Sequence, residues 1–442
     1  MLKKILPLTN IVVLRFLGLF IVLPVISLYA NSFEEASALM IGLVVGGAYL
    51  TQLIFQTPFG ILSDKYDRKK VVLVGLVVFM LGSLVCAFAK SIEMLVLGRL
   101  LQGIGAVGGV VSAQIADMVK EEERTKAMAI MGGGIFASFT LAMIVGPLIG
   151  GHVGVNWLFF ITAFLTLLSI GMLYFMVPSS PRLRYSFEAG EMSFSQGFLD
   201  KNLWIMNLSS FLQKSLMTLF FVIVPLALVQ DFGFMETDLW KIYIPGALLG
   251  ILAMGPASIL AEKYNKPKLV LFLGIGCFFL AYLFITLADE EKILWIFSLG
   301  VLLFFMGFAS LEPIMQSLTS KYAKAHLRGT ALGNFTTASY LGSFVGGMFG
   351  ALLYHHLGLG YLAMLVVGVC ILWGITIFFV QNPQKAKNLY LPLESLPSSS
   401  LTHLNDEAGV IEWYINESEK VLIIKYNSEL VSERNILEKI QK

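Results

Sequence analysis

Apolar runs of about twenty residues recur along this chain, with only short polar connectors between most of them. A helix rises about 1.5 Å per residue, so about 20 apolar residues cross the roughly 30 Å hydrocarbon core of a bilayer. Inside lipid every backbone N–H and C=O needs an internal partner, which makes each run a helix. Twelve runs are expected, at approximately 7–29, 38–60, 71–90, 92–117, 127–151, 155–178, 203–229, 241–261, 268–288, 293–320, 329–355 and 359–380. A chain that is 57% hydrophobic and only 14% charged has too little polar surface for a soluble fold of 442 residues. Run 7–29 follows Lys3 and Lys4, as the apolar stretch of a signal peptide does, but it is too long and holds Arg15. It is expected to be an uncleaved first helix.

The chain reads as a duplication. Between the second and third runs lies Gly60-Ile-Leu-Ser-Asp64-Lys-Tyr-Asp-Arg68-Lys69-Lys70. Its faded copy lies between the eighth and ninth, as Ser258-Ile-Leu-Ala-Glu262-Lys-Tyr-Asn-Lys266-Pro-Lys268. The expected register aligns Asp64 with Glu262, Arg68 with Lys266 and Lys70 with Lys268. Counting Lys and Arg, the N-terminus and even-numbered connectors hold eighteen, and the odd-numbered connectors only Lys90, Lys241 and Lys292. By the positive-inside rule both termini are expected in the cytoplasm, which requires an even number of spans.

The expected fold is therefore an all-α membrane protein of twelve transmembrane helices in two pseudo-symmetric six-helix bundles, 1–178 and 203–380. A cytoplasmic linker, 179–202, joins them. After a link at 381–387, a small soluble domain is expected over 388–442. Its pattern is an extended Asn388–Leu393, a helix over Leu396–Asn405, strands at Val410–Ile415 and Val421–Tyr426 around a hairpin turn, and an amphipathic helix over Ser432–Ile440. That β-α-β-β-α order is an α+β domain that stops before a fourth strand. Cys86, Cys277 and Cys370 all lie inside apolar runs and offer neither a disulfide framework nor metal-ligand spacing. With no phosphate-binding loop, nucleophile elbow or zinc motif, an enzyme is not expected, and neither cofactor nor metal is called for. No feature points to nucleic acid.

The first loop resembles the G-x-L-x-D-R-x-G-R-K signature of the major facilitator superfamily through Gly60, Leu62, Asp64, Arg68 and Lys69, with Lys65 keeping the charge. Asp67 replaces a glycine expected at positive φ; Asp and Asn are the next most tolerant residues there. Arg99-Leu-Leu-Gln102-Gly-Ile-Gly105 is similar to the family's R-x-x-Q-G-x-G. Gly146-Pro147-Leu-Ile-Gly150-Gly151 is similar to the G-P-x-x-G-G of its antiporters, and Leu17–Pro24 resembles its first-span motif. With a soluble tail, the chain resembles YajR-type members, whose tail is a ferredoxin-like domain. The resemblance implies an inner-membrane transporter of bacteria. It implies that Asp64 and Arg68 latch the cytoplasmic side, with Asp117 as charge partner. It also implies that Arg99 serves proton movement; the alternative is a structural arginine reaching for the outer surface. Small residues at Gly146 and Gly150 let helices approach, and Pro147 bends its helix.

Outside the motifs, the deep charges are Arg15, Lys214 and Glu312. Lys214 lies roughly 16 Å into the seventh span and Glu312 roughly 12 Å from the inner end of the tenth, at about 1.5 Å per residue. Opposite charges at like depth are expected to meet, either as a fixed ion pair or as the proton-handling site. The function expected is secondary active transport: proton-coupled export of small, amphipathic or drug-like molecules by alternating access, with protons, substrate and lipid as partners and a tail that binds an unidentified partner. The alternatives are an uncoupled facilitator or sugar exporter, and a non-transporting receptor whose tail reports occupancy of the cavity.

Overall fold

A computed structural model describes residues 2–178, 200–323, 328–381, 386–393, 409–416, 420–427 and 430–440. Most of the expected linker 179–202, the middle of the link 381–387, the expected helix Leu396–Asn405 and the turn at 417–419 lie outside the described residues.

The helices are α1 (Leu2–Phe20), α2 (Ile26–Asn31), α3 (Ala38–Lys65), α4 (Arg68–Ala87), α5 (Ile92–Ile104), α6 (Gly108–Met118), α7 (Glu121–His152) and α8 (Val155–Met176). There follow α9 (Lys201–Gln230), α10 (Trp240–Glu262), α11 (Pro267–Glu291), α12 (Leu294–Tyr322) and α13 (Arg328–Phe378). Among the described residues, ten helical segments are long and apolar enough to cross a membrane, and Ile5–Phe20 is a shorter apolar helix.

Four expected runs depart from one separate, continuous helix each. Run 7–29 breaks after Phe20 and resumes at Ile26, because Pro24 has no N–H to continue the ladder. Run 92–117 breaks between α5 and α6 at Gly105, which crowds the Gly75 carbonyl and Phe79 too closely for any side chain. The last two runs adjoin within α13, where Gly358 alone interrupts the helix with φ 75°, a conformation that costs glycine little and other residues more.

The register of the duplicated loops also slips by one. α4 begins at Arg68, so Lys69 is its second residue; α11 begins at Pro267, so its second residue is Lys268. The expected alignment paired Lys268 with Lys70. Asn265 is left-handed, with φ 52°. Asp67 is not: at φ −62° and ψ 122° it is the N-cap of α4, its side chain accepting from the Lys69 N–H at 2.8 Å. A capping carboxylate thus replaces the turn for which a positive φ was expected.

The N-terminal and C-terminal halves touch near the ends of their helices that face the odd-numbered connectors. There α3 lies against α13: a Cβ on Gly42 would fall 2.7 Å from the Met348 carbonyl oxygen, and one on Gly46 would fall 2.9 Å from that of Phe344. Ser27 in α2 donates to the Phe221 carbonyl in α9 at 3.2 Å. Toward the opposite ends of the same pair, Gly60 and Gly333 have nothing within 4 Å of a built Cβ.

The tail holds β1 (Ala386–Pro392), β2 (Val410–Asn416), β3 (Val421–Asn427) and α14 (Glu433–Ile440). The sheet is antiparallel with β3 in the centre, order β1-β3-β2. Leu389, Leu422, Ile424, Tyr426, Val431 and Ile436 form its own small core. Buried Lys425 donates to the Ala323 carbonyl just past α12, at 3.2 Å.

Candidate functional site

The loop after α3 builds a charge triad from three helix ends. Arg68 opens α4, and its Nε lies 2.9 Å from Oδ2 of Asp117, one residue from the end of α6. Its terminal nitrogen lies 3.7 Å from Oδ1 of Asp64, in the last turn of α3. The Arg68 and Asp117 side chains are only 17% and 10% exposed, whereas Asp64 is 71% exposed. Lys69 turns away from the triad and donates to the carbonyls of Tyr174 and Val177, at the end of α8, at 3.1 and 2.8 Å.

The glycine motif lies near the other end of the bundle. Gly146 in α7 packs directly on the Ile21 carbonyl beyond α1, and Gly150 faces Val25. Gly151 abuts the other half: a Cβ there would come within 2.9 Å of the backbone of Glu236 and Thr237. Pro147 lies inside α7. These small residues let α7 nest against the α1–α2 break on one side and the second half on the other.

Arg99 does not reach a surface. Fully buried in α5, it donates to the Val44 carbonyl at 2.9 Å and to Oε1 of Gln102 at 2.7 Å. Gln102 in turn donates to Ser83 at 2.9 Å, so the motif ties α3, α4 and α5 together. Arg15 is equally buried, but none of its three guanidinium nitrogens has a hydrogen-bond partner among the described residues.

In the second half, Lys214 of α9 and Glu312 of α12 meet at 2.7 Å. They are 16% and 29% exposed, so the pair is reached by little solvent. Lys214 also stands 4.8 Å from the ring centroid of Phe308, one helical turn along α12. Phe308 touches Phe139 of α7, centroid to centroid 5.0 Å, and Phe139 also meets Phe221 at 6.1 Å and Phe305 at 6.5 Å. An aromatic contact between the halves thus adjoins the ion pair, on its odd-connector side. Sequence reasoning missed Phe139, because one phenylalanine among 34 carries no local signal. Glu312 precedes Pro313, where the helical ladder lacks one hydrogen bond. Arg15 and Arg99 are not brought to this pair. No group of His, Cys, Asp and Glu suited to a metal exists among the described residues.

Comparison with known proteins matches this arrangement to one family. The profile of the Major Facilitator Superfamily matches residues 8–347, and again 301–413. The inner membrane transport protein YajR of Escherichia coli (strain K12) is 36% identical over 339 residues, which are 76% of this chain and 74% of that protein. The class B tetracycline resistance protein of Escherichia coli is 27% identical over 358 residues, 78% of this chain and 87% of that protein. Among solved structures, the human organic anion transporter MFSD10 superposes with a TM-score of 0.64 at 18% identity, over 85% of this chain and 99% of that one. The nucleoside transporter NupG gives a TM-score of 0.66 at 16% identity, over 86% and 100%.

Proposed function

The chain belongs to the major facilitator superfamily, whose members are transporters rather than enzymes, and we propose that it is a proton-coupled exporter of small amphipathic molecules. Tetracycline and multidrug resistance proteins among its relatives support export. Twelve crossings result when α13 counts twice across Gly358 and the broken α1–α2 and α5–α6 count as one each. The Lys and Arg asymmetry supports an inner-membrane orientation with both termini in the cytoplasm. The domain division is then two bundles, 1–178 and 203–380, a linker at 179–202, a link at 381–387 and an accessory tail at 388–442. The tail's β1-β3-β2 order, among the described residues, supports a ferredoxin-like unit.

In this orientation the close contacts of α3 with α13 lie toward the outside, and at their cytoplasmic ends Gly60 and Gly333 meet no neighbour, which supports an inward-open arrangement. The exposure of Asp64 follows: it is a latch residue released, and it engages the other half when the inside closes. The Arg68–Asp117 pair stays within the first half and fixes the loop that carries Asp64.

The observation that carries proton coupling is the 2.7 Å contact between Lys214 and Glu312, at the midplane and beside the aromatic seal of Phe139 and Phe308. A carboxylate held by an ammonium releases its proton, and one that loses that partner in a poorly hydrated cavity takes it back. Rocking that separates α9 from α12, aided by the missing bond at Pro313, alternates the two conditions. The test is proton flux in liposomes, driven by members of a panel of amphipathic drugs. Glu312→Gln is expected to bind substrate yet lose transport driven by a pH gradient. Undiminished, pH-dependent transport in that variant removes Glu312 from the mechanism.

A further inference from the structure

The two halves differ in how they treat buried charge. Lys214 has Glu312, but Arg15 and Arg99, both fully buried, have no carboxylate within ion-pair distance among the described residues. Among the described residues Arg99 has two hydrogen-bonded partners and Arg15 has none. Its guanidinium lies over ring systems, with its central carbon 5.2 Å from the Phe16 centroid and 5.1 Å from that of Phe79. Removing a cation from water is costly, and contact with ring faces returns only part of that cost. The site is short of negative charge.

Its neighbours are suited to supply a ligand's remaining contacts. Tyr49 and Tyr340 pack in one cluster with Phe16 and Phe79, the two rings that flank Arg15. Among the described residues the Tyr49 hydroxyl is buried and unpartnered, and so is Oε1 of Gln52. Nε2 of Gln52 donates to the Tyr340 hydroxyl at 2.7 Å, a bond from the first half to the second. Turning the Gln52 amide over lets Tyr340 donate to Oε1 and frees Nε2 for an anion. Five donors of one arginine, a phenol and an amide would then converge among aromatic side chains. Arg15 is thirteen residues into α1, or roughly 20 Å along it, which puts the cluster at mid-membrane.

We infer that Arg15, Tyr49, Gln52 and Tyr340 form an anion subsite that takes the carboxylate of an amphipathic aromatic acid, whose apolar body lies against Phe16 and Phe79. The inference rests on the transporter reading above and gives it a substrate class. Because the Gln52–Tyr340 bond spans the halves, the two walls of the subsite part when the halves rock, and release follows from the geometry.

The test uses the full-length chain in detergent, with no gradient, and follows thermal unfolding by tryptophan fluorescence. The probes are benzoate and its neutral isostere benzamide at constant ionic strength. Benzoate is expected to raise the melting temperature saturably and benzamide to leave it unchanged. Arg15→Gln is expected to weaken the response at least about 30-fold, as when one partner of a buried charged pair is removed. Gln52→Glu supplies the missing carboxylate internally; it is expected to melt higher than wild type and to ignore benzoate. Should Arg15→Gln fail to fold, Gln52→Glu and Tyr49→Phe carry the test, the latter with weakened benzoate binding. Equal responses to both probes, no response to either, or a Gln52→Glu variant no more stable than wild type overturns the subsite. Benzoate binding without proton flux keeps the subsite and removes the exporter; flux without benzoate binding does the reverse.

Discussion

The two copies of the acidic-then-basic loop share one task and differ in another. In each half the second residue of the following helix is a lysine that closes the carbonyl end of that half's last helix. Lys69 donates to Tyr174 and Val177; Lys268 donates to Phe378 and Val380, at 2.7 and 3.2 Å. A cation is well placed at a helix C-terminus, where the last carbonyls lack partners and the dipole is negative. The Arg68–Asp117–Asp64 triad, in contrast, belongs to the first copy. Glu262, Lys263 and Lys266 form no ion pair among the described residues. Duplication has kept the part that holds a bundle together. The triad, which we propose as a latch, is found once among the described residues.

The sharpest way to break that contrast is transport itself. Asp64→Asn is expected to slow transport at least about tenfold, equivalent to about 1.4 kcal/mol, at normal levels in the membrane. Glu262→Gln is expected to transport near the wild-type rate in the same liposome assay. Equal losses in the two variants would make both loops latches, and wild-type rates in both would leave Asp64 as a topology charge.

The shared task calls for equal, smaller effects. Lys69→Met and Lys268→Met are each expected to lower stability by about 1 kcal/mol, given partial exposure and two charged hydrogen bonds apiece. Thermal unfolding of the purified chain reads this, and a loss confined to one half would refute the common role. The smallest effect concerns the turns. Asp67→Gly is expected to lose a few tenths of a kcal/mol with its cap. Asn265→Gly, at a left-handed position, is expected to lose nothing. The reverse order in the same measurement would overturn the difference in backbone conformation.

Much of the fold was legible because a bilayer leaves the backbone so little choice. The apolar runs, the motif residues and the tail strands are local signals, and the strands appear at Val410–Asn416 and Val421–Asn427 close to where alternation and the hairpin turn put them. Helix interruptions were less legible: Pro24 was in view as part of a motif, yet a missing N–H alone does not tell a kink from the full break that accommodates Gly146 and Gly150 of α7. The one-residue slip of the second loop was hidden because Lys266, Pro267 and Lys268 offer two plausible alignments with Arg68, Lys69 and Lys70. Contacts between distant segments are nonlocal by nature. Depth along the helix brought Lys214 and Glu312 under consideration together, but no depth argument could find Phe139, or tell that Arg99 has partners while Arg15 has none.

Gly358 has a mechanical consequence. The two arms of α13 meet at a single non-helical residue, so no slack chain lies between them to absorb a displacement. The first arm bears Gly347 against Gly46 of the other half. The second arm carries Trp373, whose indole donates to Ser209 of α9 at 3.0 Å, and ends at the carbonyls that Lys268 holds. A push received at Gly347 is therefore handed on whole, through one hairpin, to α9 and to the start of α11. Within the second bundle α9, α13 and the start of α11 are therefore tied to move together, while α12 keeps at Pro313 the freedom that parts Glu312 from Lys214.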